Sequence, residues 1–489
     1  MYEAALALSV LCLGIVGVYY SRSPAYSVYH PLTFYLAFHA FIFVFRPIYA
    51  YIQDFRTIYL LYQFSPSASD KLTVILAANL GMIAFAIFSL RGNRRPMQFK
   101  QDQFAIAERN RLVPAALWAI AICAPIGIYS LSLNWGRATQ DASTMVMDAG
   151  SGSFINTNGN GYLAEAQLML ATCCAMIGWL FRFRLVALLP LAGFILFRAG
   201  TGGRGPFVTA AVCLALLYLY EHRQRLPSLR VVAGVIAIVA MFTAVGQDRG
   251  RSIRAAISED NTIERDYGGL KPRFLEGMDY GNLEYFEYLV YAIPQRSGSY
   301  EYFADNLMLL TEPIPRVLWP NKPVGSPVKF FSLFDYGYPI GMTRSLPGEG
   351  WVQLGWLGVI IWCGLWGLAL GYIYRRFVEG QQSAFAVLAF FSFMPMLIIV
   401  FRDGTLITLL RQSVFFFTPI LLWKLMATLL GIPSARERRA EAAHQAKPRT
   451  VPLPDGPGGP DWQADRQALP AAVLRRRIRL QAARQSGGA

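Results

Sequence analysis

Long apolar runs separated by short polar breaks dominate the chain. Eleven of them, near residues 2–20, 31–51, 72–90, 112–132, 162–181, 185–200, 206–220, 230–246, 354–374, 383–401 and 412–431, are each about the length that crosses a hydrocarbon core about 30 Å thick at about 1.5 Å of rise per residue. The pattern predicts an all-α polytopic membrane protein with about eleven transmembrane helices. The first run carries Glu3, follows no basic stretch and precedes no small-residue cleavage site, so a retained helix is expected rather than a cleaved signal. No internal repeat is visible, which leaves an inverted-repeat transporter without support from sequence symmetry.

Two stretches break the pattern. Residues 247–350 lie between hydrophobic spans and are rich in Arg, Glu, Asp, Tyr and Pro. A segment this polar cannot lie in hydrocarbon, where each unpaired backbone group costs several kcal/mol, so it is expected as one large loop capping one side of the bilayer. The other is the tail, residues 434–489, with eleven Lys and Arg against five Asp and Glu and a Pro-Leu-Pro-Asp-Gly-Pro-Gly-Gly-Pro centre. That composition builds no core, and a disordered basic tail is expected; its last part, residues 473–484, would suit a basic helix on anionic lipid. The expected organisation is therefore helices one to eight (1–246), the large loop (247–350), helices nine to eleven (351–433) and the tail.

Composition supports the membrane class, with 54% hydrophobic and only 15% charged residues. The net charge of +15 would suggest nucleic acid in a soluble protein, but here Lys and Arg crowd into loops between spans, so nucleic acid is not an expected partner and the lipid bilayer is. The basic loops are 91–95, 182–184, 222–230, 375–376 and the tail. Placing all five in the cytoplasm alternates consistently only with the N-terminus outside, the C-terminus inside and 247–350 outside, together with 135–161, 198–206 and 402–405. The six cysteines all fall in apolar runs, with no disulfide framework or zinc ligand set.

The outer face then carries many arginines against the usual bias, among them Arg198, Arg204, Arg296, Arg316, Arg344, Arg402 and Arg411. Guanidinium grips phosphate-type oxygens bidentately, so an anionic substrate is implied, although several of these residues are equally expected to pair with the loop's own acids. Arg204 sits in Phe197-Arg-Ala-Gly-Thr-Gly-Gly-Arg-Gly-Pro, which reads either as a ligand-approaching turn ahead of a helix N-terminus or as a tight hairpin. Arg402 and Asp403 interrupt apolar runs at the membrane edge, and Arg316 is held among Pro313, Pro315, Pro320 and Pro323. No P-loop, GxSxG, HExxH or metal-spaced carboxylate cluster is present, and none of the four histidines is expected outside, so no metal or cofactor is expected. An outer general base must then be a carboxylate. Glu349 is best placed and Asp403 is the reserve; the competing reading makes Glu349 the cap of a helix beginning near Trp351.

These features resemble the Wzy-type O-antigen polymerases and related oligosaccharide repeat-unit polymerases. The likeness rests on the span order, the Thr-Gly-Gly-Arg-Gly turn at residues 201–205, the late outer loop, Ile-Pro-Arg-x-x-Trp-Pro-x-Lys-Pro at 314–323, Thr-Arg-Ser-Leu-Pro-Gly-Glu at 343–349 and Gly355-Trp-Leu-Gly. It implies a bacterial inner-membrane enzyme, N-terminus periplasmic and C-terminus cytoplasmic, that transfers a growing glycan from undecaprenyl pyrophosphate onto another lipid-linked repeat unit without a metal, with a chain-length regulator protein as a further partner. Glu349 or Asp403 would be the base, and Arg198, Arg204, Arg316, Arg344 and Arg402 would hold pyrophosphate. Trp319, Tyr285 and Tyr288 would face sugar rings, although the tyrosines also suit interfacial anchoring. An O-antigen ligase shares the donor, but that family uses an outer-loop histidine that this chain lacks. A flippase or exporter would want a polar path through the spans, where charges are few.

Overall fold

The computed structural model describes residues 1–93, 95–100, 103–133, 145–148, 153–156, 163, 165–200, 205–229, 233, 270, 272–311, 326–328, 333, 335–337, 339 and 342–445. The run at 230–246 apart from Ala233, Arg204, Arg316, Trp319 and the tail beyond Gln445 lie outside the described residues, and Arg198 is described only as helix backbone. The chain divides into a unit Met1–Arg438 and a unit Arg439–Ala489. The first holds helices α1 (Tyr2–Ser21), α2 (Pro31–Gln53), α3 (Thr57–Tyr62), α4 (Ala68–Leu90), α5 (Gln103–Arg111), α6 (Val113–Leu133), α7 (Leu168–Leu180), α8 (Leu185–Gly200) and α9 (Gly205–Glu221). After the loop region come α10 (Asn282–Ala292), α11 (Ala304–Thr311), α12 (Leu346–Glu379), α13 (Ala384–Asp403) and α14 (Leu406–Leu429). Met145–Asp148 and Ser153–Asn156 form a two-stranded antiparallel ribbon with Met145 opposite Asn156. The second unit is described only over residues 439–445, which are helical.

Among the described residues seven helices, α1, α2, α4, α6, α12, α13 and α14, are long and apolar enough to cross a membrane, and the protein is a membrane-embedded, multi-pass helical protein. Three further expected spans are helices shorter than these seven. A turn at Ala166, whose N–H donates to Leu163 O, interrupts the run at 162–181, so α7 keeps 13 residues, about 20 Å of rise. The helices α8 and α9 have 16 and 17 residues.

The spine of the unit is α12 packed along α4. Their backbones approach closely because α12 presents Gly364, Gly367 and Gly371: a Cβ at Gly367 would lie 2.6 Å from Phe85 O, and one at Gly371 2.4 Å from Ser89 O. Small residues allow this in a lipid-facing protein, where helix association relies on close van der Waals packing. Ser67 and Asp70 begin α4 with reciprocal hydrogen bonds, 3.1 Å from Asp70 N to Ser67 Oγ and 2.8 Å from Ser67 N to Asp70 Oδ2. Around the spine, α1 packs on α4, and α6, α7, α9, α13 and α14 form a connected group.

Hydrogen bonds tie separate loops together at two places in the bundle. At one end Val28 N donates to Arg225 O (2.9 Å), Tyr29 to Gln224 O (2.7 Å), Tyr220 to Gln382 Oε1 (2.6 Å) and Lys100 Nζ to Glu379 O (2.8 Å). The loop at 222–230 is thus tied to the turn between α1 and α2, and residues near 100 and 220 to the turn after α12. At the other end Arg56 N and Thr57 N donate to Glu276 Oε1, both at 2.7 Å, and Ser345 N donates to Arg402 O at 2.8 Å. The 402–405 turn and the large loop therefore share a face.

Candidate functional site

A break in α12 builds the site. Leu354 (φ −162°, ψ 34°) and Gly355 (φ 58°, ψ −136°) are non-helical, so residues 346–353 form a half-helix that reverses into the long span. Only glycine adopts the Gly355 conformation at little cost, and a Cβ there would also meet Tyr300 Oη at 2.7 Å. The half-helix lies against the start of the span through Gly350 and Gly358, whose backbones leave no room for side chains. Its open carbonyls are taken up by the loop before α11: Glu301 N donates to Val352 O and Tyr302 N to Gln353 O, each at 3.0 Å, while Phe303 N donates to Gln353 Oε1 at 2.6 Å.

This geometry brings Glu301, Arg344, Glu349 and Gln353 into a closed ring. Arg344 Nη1 donates to Glu349 Oε2 (2.9 Å) and Glu301 Oε2 (3.2 Å); Gln353 Nε2 donates to Glu349 Oε1 (2.8 Å) and Glu301 Oε2 (2.9 Å). Asn306 Nδ2 reaches Glu349 Oε1 at 3.4 Å. Glu301 is 0% exposed and Glu349 2%, while the Arg344 side chain keeps 18%. Burial alone would lower the Arg344 pKa, but Glu301 and Glu349, joined by Tyr285, hold it well above the ordinary arginine value.

Backbone strain marks the same residues. Ser345, next to Arg344, has φ 64° and ψ 162°, and Tyr302 and Phe303, next to Glu301, have φ 53° and 61°. Non-glycine residues in such regions cost about 1–3 kcal/mol each and persist where the surroundings over-determine them, commonly at functional sites. Ser345 is held by its Oγ, which accepts from Gly348 N at 3.3 Å, and by its N–H on Arg402 O. The helix cap is therefore Ser345. Glu349 lies one turn inside, with its carboxylate committed to the ring.

The 402–405 turn closes against this assembly. Gly404, at φ 76°, approaches so closely that a Cβ would lie 2.5 Å from Ser345 O and 2.7 Å from Glu349 Cβ. Trp362 Nε1 donates to Gly404 O (3.0 Å), and Asn282 Nδ2 bridges Thr343 O (3.0 Å) and Arg402 O (2.9 Å). Glu349, Arg344, Tyr285, Arg402 and Asp403 thus converge from three distant parts of the chain. Arg402 Nε is buried without a hydrogen-bond partner among the described residues. Tyr288 is placed differently: it stacks on Tyr285 (centroids 6.0 Å, 7°), is 1% exposed, and donates to Gly337 O at 2.9 Å, so its ring packs in the core and offers no open face to a sugar. Arg344, expected on pyrophosphate, spends its charge on two carboxylates.

Sequence reasoning passed over Arg46, Glu284 and Glu287. A π-helical turn, Ala40–Phe45, precedes Arg46 inside α2, and the guanidinium, fully buried, pairs with Glu284 on α10. The signal was available, since a charge followed by proline in the middle of an apolar run is costly unless paired. One turn on, Glu287 accepts from Tyr59 Oη, and Lys71 lies over the Tyr59 ring at 4.4 Å. These contacts fix α10, which carries Tyr285 to the ring. Burial, reinforced by Glu284 and opposed by Lys71, pushes the Glu287 carboxyl up to about 7 from 4.5. A folded-state value raised above the unfolded one stabilises the protein fully below about pH 4.5, and this contribution is lost as pH rises through 7, a change of about 3 kcal/mol. Thermal unfolding in detergent should show this decline, and Glu287→Gln should flatten it between pH 5 and pH 7.

No protein family, curated protein or solved structure matches the chain.

Proposed function

We propose that the protein is a polysaccharide polymerase that transfers a growing glycan from undecaprenyl pyrophosphate onto another lipid-linked repeat unit. The observation that carries this reading is the buried Glu301–Arg344–Glu349–Gln353 ring, set at a strained helix break beside the Arg402 turn. A carboxylate held by fixed donors at a membrane edge is suited to take a proton from a sugar hydroxyl. In the proposed step the acceptor oxygen attacks the anomeric carbon of the donor, its proton passes to Glu349, and the carbon–oxygen bond to pyrophosphate breaks with the electron pair leaving on phosphate oxygen. Arg344 positions Glu349 rather than gripping the leaving group. Arg402, with its free Nε, is the described arginine best suited to the pyrophosphate, joined in this reading by Arg198, Arg204 and Arg316.

The finer topology belongs to the same proposal: about eleven spans, in the inner membrane, with the N-terminus and the 247–350 loop periplasmic and the C-terminus cytoplasmic. A chain-length regulator is the further protein partner in this scheme. Orientation decides between this reading and a cytoplasmic-face enzyme. Cysteine at Ser299, in the loop beside Glu301, should react with an impermeant maleimide in intact spheroplasts, and cysteine at Ser486 should react only after lysis. Native background is expected to be low, because five of the six cysteines are buried. The reverse labelling pattern would overturn the proposed site face.

A ligase remains the nearest alternative enzyme, and it would hand the glycan to a different lipid instead of lengthening it. An exporter would move the glycan without breaking a bond. An exporter has no use for a base beside an acceptor hydroxyl, whereas a ligase would use the carboxylate as elongation does and differs only in its acceptor.

A further inference from the structure

We propose that the ring selects an uncharged acceptor sugar, and that Glu301 is the residue that enforces this choice. The inference rests on the polymerase reading for the word acceptor, but the binding preference itself does not.

Charge is the first observation. Two carboxylates share one guanidinium, and each donor of that sharing, Arg344 Nη1 and Gln353 Nε2, is used on both acids. The other described charges of the adjoining turn, Arg402 and Asp403, offset each other in sign. Among the described residues the ring and the adjoining turn therefore carry no net positive charge, and an anionic sugar would bring a third negative group to buried carboxylates.

The second observation is an acceptor without a donor. Glu301 is 0% exposed, its Oε2 is shared by Arg344 and Gln353, and its Oε1 is buried with no hydrogen-bond partner among the described residues. A buried carboxylate oxygen calls for a hydrogen-bond donor. Hydroxyl groups and the N–H of an acetamido sugar provide one, whereas a uronate carboxylate only accepts. The rim of the ring, where exposure remains, is formed by Asn306, half-buried, and the Arg344 side chain. Asn306 supplies a neutral donor at that rim, and its amide already leans toward Glu349. The site is thus arranged to satisfy hydroxyls and repel carboxylates.

The test uses the full chain purified in one neutral detergent and three probes that differ in a single sugar substituent: octyl glucoside, octyl N-acetylglucosaminide and octyl glucuronide. Binding is followed by thermal-shift titration at pH 7. The expected result is that both neutral glycosides bind, that the glucuronide binds about tenfold more weakly or worse, and that Glu301→Gln narrows this gap severalfold. Glu287→Gln, on the far side of α10, should keep the gap. Equal or tighter binding of the glucuronide, an undiminished gap in Glu301→Gln, or no binding of any glycoside would each overturn the proposal. The wild-type comparison stands even where the variant does not fold. A neutral preference in a protein that lengthens no glycan would uphold this inference while the polymerase reading fell.

Discussion

Glu349→Gln is expected to lower glycan elongation about a thousandfold per folded protein. General-base catalysis by a positioned side chain contributes about 10²–10⁴-fold. The amide keeps the volume of the carboxylate and, with its carbonyl toward Arg344 Nη1, preserves that donation. What it loses is the ability to receive a proton and, because its NH2 then faces the donors Gln353 Nε2 and Asn306 Nδ2, the acceptor those two used, so some stability is lost with it. The helix start should survive, because Ser345 provides the cap and Glu349 does not. Rates on a lipid-linked substrate, compared at matched protein, measure the effect. A variant retaining more than about a tenth of the wild-type rate would remove Glu349 from the chemistry.

Gly367→Leu is expected to be the most damaging single change to the fold. The Cβ alone would sit 2.6 Å from Phe85 O and 3.2 Å from Phe85 Cα, both backbone atoms of α4, so the new side chain has nothing flexible to displace. Overpacking typically costs about 1–3 kcal/mol where side chains can yield, and a backbone contact should place this substitution at the upper end or beyond. Because α4 carries Lys71 toward Tyr59 and α12 carries Glu349, separating them should also open the site. The measurable outcome is loss of most folded protein by size-exclusion profile in mild detergent. Gly14, which has open space around it, is the control, and Gly14→Leu should retain the wild-type profile.

The membrane class was legible because hydrocarbon leaves few options for a backbone. The break in α12 was not. Leu354 and Gly355 stand at the start of the run at 354–374, most of the half-helix at 346–353 falls in the expected loop, and nothing in composition announces a φ of 58° at Gly355. The short α7 was equally hidden, since the turn at Ala166 consists of residues that also favour helix. At the site, elimination led to Glu349, and membrane-edge cost led to Arg402 and Asp403. Glu301 was only one of several loop acids, and Gln353 has no charge to draw attention. Their roles arise from a tertiary juxtaposition: a loop strand capping the half-helix through Val352 O and Gln353 O delivers both to the same guanidinium. Arg344 illustrates the opposite difficulty. Its residue type suggests anion binding, and only its partners reveal that its charge is already spent.

Elongation by the purified chain alone tests the central claim most directly. Supplied in detergent with undecaprenyl-pyrophosphate-linked repeat units and no other protein, the wild type should produce a ladder of lipid-linked glycans differing by one repeat, and release one equivalent of carrier pyrophosphate per repeat added. Glu349→Gln, under the same conditions, should leave the single repeat unit unchanged. Wild-type protein that binds the substrate yet never extends it, or a ladder of equal length from Glu349→Gln, would contradict the account.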